Sequence, residues 1–229
     1  MKAFHNPANR LVAASAALVL TALAVRRDRV SSTEERAFRA VNNLPDVIFG
    51  PLWLLMQCGN AGAPLAAALA ALVRRDRRLA ARLFVVGTTT WALSKVVKQR
   101  VRRPRPAVLL AATRRRGAEP AGLGYLSGHA GVVVALGAAA LPRLQARGRA
   151  GVLLLAPVVG IARVYVGAHL PLDVVGGAAL GLGVEAMVSM LDRARPARRR
   201  HAACNPAPHR LADVARPCSG GPAGLPRLR

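Results

Sequence analysis

Acidic residues are scarce in this chain: 10 Asp and Glu stand against 34 Lys and Arg, for a formal net charge of +24. The few carboxylates do not cluster, so an all-oxygen cage for Mg²⁺ or Ca²⁺ has no donors. Cysteine is sparse as well. Cys58 lies in apolar sequence, Cys204 and Cys218 lie in an Arg- and Pro-rich tail, and no C-x-x-C occurs. That excludes zinc modules and dithiol redox motifs and predicts three free thiols. Of five histidines, His5, His201 and His209 fall in polar ends. His129 and His169 alone stand at the edges of apolar blocks, where an ionisable group is expensive unless it faces a cavity and functions.

What the chain has in quantity is Ala, Leu and Val. Apolar residues make up 53% of it and the mean hydropathy is +0.29 in spite of the charge. They come in blocks close to the ~20 residues a helix needs to cross ~30 Å of hydrocarbon. The first runs from Leu11 to Val25. Ala22-Leu23-Ala24 imitates a signal-peptide cleavage site, but the hydrophobic blocks that follow favour a retained helix. Residues 32–44 set Ala37, Phe38, Val41 and Leu44 against Glu34, Glu35, Arg36 and Arg39, the pattern of a short amphipathic surface helix. Ser32 or Thr33 is placed to cap it, with the two Glu near its positive end. The region Val47 to Val73 is interrupted by Gly59, Asn60, Gly62 and Pro64, and reads either as one broken helix or as a short segment before a spanning one. Further helices are predicted over Leu79–Lys98, Gly128–Leu141, Gly151–Val166 and Leu172–Leu191. Pro142, and Pro171 at a helix start, punctuate them.

The expected fold is therefore all-α, a polytopic membrane bundle of about six helices. Residues 1–10 form a cytoplasmic N-terminus, 11–192 the membrane-embedded domain, and 193–229 a disordered basic tail on the cytoplasmic side. The tail carries nine Arg against Asp213 alone and too little apolar surface to fold. It suits attraction to anionic lipid. It lacks the aromatics that stack on single-stranded nucleic acid, and no nucleic-acid partner is expected. Oligomeric state is not legible. With the N-terminus inside, Arg74–Arg78, then Arg143, Arg147 and Arg149, then the tail all fall on the cytoplasmic side, as the positive-inside rule requires. Two clusters run against it, Arg26-Arg27-Asp28-Arg29 and the run from Arg100 to Arg116; for the second a catalytic role is the expected reason.

Three fragments sit where apolar blocks begin or end: Lys98 with Arg105-Pro106, then Ser127-Gly128-His129, then Arg163 with His169 and Asp173. His169 and Asp173 are four apart, so the start of one helix brings them to one face. A carboxylate bonded to one imidazole nitrogen fixes the tautomer and leaves the other nitrogen free to attack. Ser127 and Gly128 open a helix, whose free N–H groups and positive dipole end suit a phosphate. Other registers in the basic run fail: Lys95 pairs with Arg102 but lacks a trailing proline, and Arg103-Pro104 would need a lysine where Val96 stands. Lys95 reads as an interfacial or structural lysine. Tyr125 and Tyr165 read as packing or interfacial anchors, and Glu185 as structural or at the cytoplasmic edge.

In order the fragments give K-x6-R-P, S-G-H and R-x5-H-x3-D. Together they resemble the three-part signature of the type 2 phosphatidic acid phosphatase (PAP2) superfamily, integral-membrane lipid phosphatases that also resemble vanadium haloperoxidases. The resemblance implies that His169 forms a phosphohistidine, that Asp173 orients it, and that His129 protonates the leaving alkoxide and then activates water. It also implies that Lys98, Arg105 and Arg163 hold the phosphoryl oxygens, beside Ser127 and Gly128. The implied activity is hydrolysis of a lipid phosphate or diphosphate: polyprenyl diphosphate, phosphatidic acid, phosphatidylglycerol phosphate or a prenyl-linked sugar phosphate. The implied site faces the extracytoplasmic side of the cell membrane, and Ala- and Arg-rich usage suits the envelope lipids of a high-GC bacterium. Alternatives are phosphotransfer to an alcohol other than water, and a non-enzymatic cationic lipid-binding protein. Haloperoxidase relatives are larger and soluble. The chain departs from the family pattern twice, with Leu126 where proline is usual and Ala162 where serine is usual, which puts substrate preference and efficiency in doubt.

No cofactor is expected, because three cationic side chains replace a metal clamp on the phosphoryl group. Phosphate release should therefore persist in EDTA, while vanadate should inhibit. Complete loss in EDTA, restored by Mg²⁺, contradicts this.

Overall fold

The computed structural model describes residues 6–26, 29–118 and 122–203. Among them the ordered elements are all helical: α1 (Pro7–Val25), α2 (Ser32–Asn42), α3 (Phe49–Met56), α4 (Ala63–Val73), α5 (Arg77–Val101), α6 (Pro106–Leu109), α7 (Gly128–Ala140), α8 (Ala146–Tyr165) and α9 (Pro171–Ala203). Residues Met1–Arg193 form one compact unit and Ala194–Arg229 a second. The last helix runs through Ala203, past the boundary expected at 193, and the remainder of the tail lies outside the described residues.

The all-α membrane bundle predicted from hydropathy is the observed architecture. α1, α8 and the Pro171–Ala194 part of α9 are each long and apolar enough to cross a bilayer, and Asp46–Gly59 with Ala63–Val73 makes a pair bent by 75°. Region 47–73 is thus broken at Asn60, whose side chain accepts from the N–H groups of Gly62 and Ala63 and starts the second half. α5 has 25 residues, about 37 Å at 1.5 Å per residue. Its hydropathy is diluted by Arg77, Arg78 and Arg82 at one end and by Lys95, Lys98 and Arg100 at the other. α7 has only 13 residues, but it packs on α4, α5 and α8 and most of it is buried.

α7 and α9 approach closely because both carry glycine where they cross. A Cβ on Gly177 would fall against the backbone carbonyl of Ser127, and one on Gly181 against that of Gly131. This contact brings the start of α7 beside the start of α9, where Ser127 N–H donates to the Asp173 carbonyl at 2.8 Å. At the opposite end of the bundle, buried Glu185 accepts from Arg82 at 2.6 Å and pairs with Arg10 at 3.0 Å, joining α1, α5 and α9. Glu185 is therefore structural. Beside it, Arg143 pairs with Asp76 and holds the loop before α8 to the start of α5.

α2 is amphipathic in a different sense from the one predicted. Its cap is Ser31, not Ser32 or Thr33: the Ser31 hydroxyl accepts from Glu34 N–H at 3.1 Å. Its inward stripe is Glu34, Phe38, Val41 and Asn42, while Ala37 and Leu44 are exposed. Phe38 packs with Leu110, Val164 and Leu170. Asn42 donates to the carbonyls of Arg114 and Tyr165, each at 2.9 Å, and accepts from Arg114 N–H. The helix docks through polar groups at both ends of a short apolar strip.

Gly177→Ala should lower the melting temperature in detergent, since overpacking a close crossing costs ~1–3 kcal/mol. Gly151→Ala, where an added Cβ meets nothing within 4 Å, should leave it unchanged or raise it. Equal melting temperatures for the two variants contradict the close-packing account.

Candidate active site

The site grows from the ends of α5 and α8 and the starts of α7 and α9. α5 stops at Arg102, whose backbone is left-handed at φ 57° and whose N–H closes on the Lys98 carbonyl at 2.9 Å. That reversal, followed by Pro104 and Pro106, turns Arg103 inward and leaves Arg105 extended. At the end of α8 the chain turns through Gly167 at φ +74°. The N–H groups of Ala168 and His169 both bond the Arg163 carbonyl, which holds the histidine within the loop. Ser127 caps α7 and puts His129 in its first turn.

Lys98, Arg105, Gly128, His129, Arg163 and His169 line one cavity of about 140 Å³. That is enough for a phosphoryl group and small for a lipid chain. Gly59, Ala61, Trp91, Ser94 and Lys95 complete the lining. Lys95 stands 5.0 Å from the centre of the exposed Trp91 ring, so this lysine belongs to the cavity wall as well as to the interface. The predicted motif residues converge with one exception. Ser127 is fully buried, its hydroxyl accepts from Ala130 N–H at 3.4 Å, and its side chain does not reach the cavity. Asp173 lies behind His169, at 0% exposure.

The cations are held differently. Lys98 Nζ donates to the carbonyls of Leu123 at 3.0 Å and Gly124 at 3.3 Å. Arg105 donates to the carbonyls of Gly122 and Ala168, and burial lowers its pKa. Arg163 is 9% exposed; its Nη1 reaches the Met56 sulfur at 3.4 Å and its Nε, buried, has no partner. A buried guanidinium so poorly satisfied is set for an anion.

His169 is 2% exposed, and its Nδ1 has no hydrogen-bond partner. The nearest candidate is Asp173 Oδ2 at 3.8 Å, longer than a hydrogen bond by about 1 Å, a gap common in empty sites. Burial first, then the charges of Lys98, Arg163 and Arg105, holds the imidazole well below its ordinary pKa. The ring is therefore neutral near pH 7, the form with a free lone pair for attack.

Two residues of this region escaped prediction. Arg103 is 0% exposed. It donates to Glu34 through both terminal nitrogens, at 3.2 and 2.8 Å, and to Asp173 Oδ1 at 2.7 Å. Burial acts to lower its pKa, but its hydrogen bonds and charge contacts with Glu34 and Asp173 outweigh that and raise it. Glu34 also accepts from Leu172 N–H at 3.1 Å, and Asp173 Oδ2 from Leu170 N–H at 2.8 Å. The available signals were the doubled Arg-Pro at 103–106 and the S-x-x-E of Ser31–Glu34, a capping-box pattern.

Arg116, at the end of the basic run, is structural. Arg116 bonds Asp46 at 2.7 Å and the carbonyls of Asn42, Leu44 and Tyr165, with its guanidinium 4.1 Å from the Tyr165 ring centre. Tyr125 and Tyr165 are core tethers: the Tyr125 hydroxyl lies 2.8 Å from that of Thr21, and the Tyr165 hydroxyl donates to the Pro45 carbonyl at 2.9 Å. Leu126 and Ala162, the two departures from the family pattern, are wholly buried and line no part of the cavity.

The fold and the site thus define a helical membrane bundle with a cationic, histidine-bearing cavity at one end. Residues 78–196, over half of the chain, match the PAP2 superfamily, and the chain belongs to that superfamily. Its fold is similar to that of Aquifex aeolicus LpxE, at a TM-score of 0.63 and 21% identity over 70% of this chain and 96% of that one. It is also similar to a transmembrane PAP2-type phosphatidylglycerolphosphate phosphatase from Bacillus subtilis, at 0.66 and 20% identity over 81% and 96%. No curated protein sequence matches it.

Proposed function

We propose that this protein is a membrane phosphatase that hydrolyses a lipid phosphate or diphosphate through a phosphohistidine at His169. The observation that carries it is the poorly satisfied guanidinium of Arg163 sharing a phosphate-sized cavity with Lys98, Arg105, His129 and a neutral His169. Superfamily membership and a fold shared with a phosphatidylglycerolphosphate phosphatase and LpxE support the same reading.

In the reaction, the phosphoryl oxygens sit among Lys98, Arg105, Arg163 and the N–H groups at the start of α7, where negative charge is stabilised without solvent reorganisation. His169 forms a bond to phosphorus through Nε2 as the bond from phosphorus to the lipid oxygen breaks. His129 gives that oxygen its proton. The two negative charges of a bound phosphate offset the cations around His129, which is the field its protonated form needs. Asp173 takes the Nδ1 proton of the phosphorylated ring into a hydrogen bond. Water then attacks phosphorus as the bond from phosphorus to His169 Nε2 breaks, His129 takes a proton from that water, and inorganic phosphate leaves. Polyprenyl diphosphate, phosphatidic acid, phosphatidylglycerol phosphate and prenyl-linked sugar phosphates are the substrate candidates.

The test is phosphate release from a panel of lipid phosphates in detergent micelles. His169→Ala should lower kcat by ~10⁴-fold or more, and Asp173→Asn should stay folded and lose up to about 10⁴-fold through the wrong tautomer. Release at the wild-type rate from His169→Ala ends the phosphohistidine proposal.

Outside the basic runs Arg26–Arg29 and Arg100–Arg116, the positive-inside rule supports an extracytoplasmic site. Arg74–Arg78, Arg143, Arg147 and Arg149 lie at the junctions of α4 with α5 and of α7 with α8, at the end away from the cavity. In a Cys-free background in spheroplasts, a cysteine at exposed Ala118 should react with a membrane-impermeant maleimide, and one at exposed Gln145 should not. The reverse pattern would place hydrolysis in the cytoplasm.

A further inference from the structure

We infer that Glu34, acting through Arg103, is a positioning residue that sets the charge Asp173 presents to His169. The inference rests on the proposed role of His169 as nucleophile. Arg103 is 0% exposed and bonded to both carboxylates, at 2.7 Å to Asp173 and at 2.8 and 3.2 Å to Glu34. Arg103 with Asp173 alone would be a neutral pair, offering little to a ring that becomes cationic. Glu34 supplies the second negative charge. The formal charges of Glu34, Arg103 and Asp173 then come to −1, and the set faces the unpartnered Nδ1 of His169.

The geometry assigns separate tasks to the two Asp173 oxygens. Oδ1 takes Arg103, while Oδ2 takes Leu170 N–H and lies 3.8 Å from His169 Nδ1. With both oxygens held, the carboxylate cannot turn away from the ring. Among the described residues, the other charges that act on the imidazole are cationic: Lys98 on α5, Arg105 in the loop after it and Arg163 on α8. When the bond from His169 Nε2 to phosphorus forms, the new positive charge meets this crowd. The net −1 on the far side of the ring is the only opposing protein charge in this set. Glu34 reaches it from α2, a helix that contributes nothing to the cavity lining.

A purely structural role, fastening α2 to the loop after α5, predicts something different, and two variants separate them. Glu34→Gln keeps an acceptor for Leu172 N–H but leaves Arg103 and Asp173 neutral as a pair. It should lower kcat and the single-turnover rate of phosphohistidine formation, each per folded molecule, by ~10–100-fold, with KM within about twofold. The double variant Glu34→Gln/Arg103→Gln restores a net −1, carried by Asp173 alone and still held by the Leu170 N–H. It should recover at least ~10-fold of that loss, and where the single variant does not fold it should still stand within ~10-fold of wild type. Wild-type rates in folded Glu34→Gln, or a double variant no faster than the single or more than ~10²-fold below wild type, would overturn the charge role. His169→Ala run alongside keeps the two proposals apart: if it is inactive while folded Glu34→Gln is unimpaired, only the role of Glu34 falls.

Discussion

Arg103 is the constraint around which the site is organised. A guanidinium with no exposure survives here because carboxylates pair both its terminal nitrogens, its Nε alone lacking a partner; an unpaired buried charge is far more costly than the pair is stabilising. Satisfying it requires three separate pieces of chain to meet: the start of α2 through Glu34, the turn after α5, and the start of α9 through Asp173. Once they meet, the carboxylate behind His169 has one position. Removing either acid would leave a buried charge short of a partner, at a cost of ~3–5 kcal/mol. Stability and site geometry are therefore one network here.

The two ends of the bundle handle charge in opposite ways. At the end holding Glu185, the cations Arg10 and Arg82 have carboxylates at 3.0 and 2.6 Å, and Ser189 bonds the same Glu at 2.7 Å. That cluster joins three helices and leaves little for a ligand. At the cavity end, Lys98 and Arg105 lean on backbone carbonyls and Arg163 on a thioether. Carbonyl dipoles orient these cations without neutralising them. The bundle tolerates the arrangement because α7 and α9 lock at Gly177 and Gly181 and the helix ends cannot relax outward. The result is a concentration of positive charge that an incoming phosphate would relieve.

How much of this was legible follows from the range of the interactions. Lys98, Arg105, Arg163, His129 and His169 stand at the edges of apolar blocks, and a polar residue there has few bland explanations; the cavity contains all five. The ends of α1, α5 and α7 were readable to within a few residues from hydropathy. The link from Glu34 to Arg103 spans 69 residues, and nothing local marks it. Glu34 at the third position of a capped helix looks like a surface acid, and Arg103 looks like one more member of a basic run. Ser127 is ambiguous for a related reason: a serine before a glycine at a helix start serves equally as phosphate ligand or as cap, and its buried hydroxyl caps α7 in this structure. Arg116 was hidden the same way, since a run of arginines does not say which of them bind backbone carbonyls.

Cavity size then divides the work of recognition. About 140 Å³ admits a phosphoryl group and leaves the rest of a lipid outside, so the catalytic residues cannot read the chain. Whatever distinguishes one lipid phosphate from another has to act at the mouth. There Trp91, 39% exposed, and Lys95 beside it present an aromatic face and a charge one turn before Lys98. Trp and Lys are the side chains that settle at a membrane interface, with an apolar body toward lipid and a polar tip toward water. On α5 they continue from Phe84, exposed on the same helix face, directly into the cavity wall. A headgroup could thus pass from bilayer to cavity along one helix face, with its acyl or prenyl chain still in the membrane.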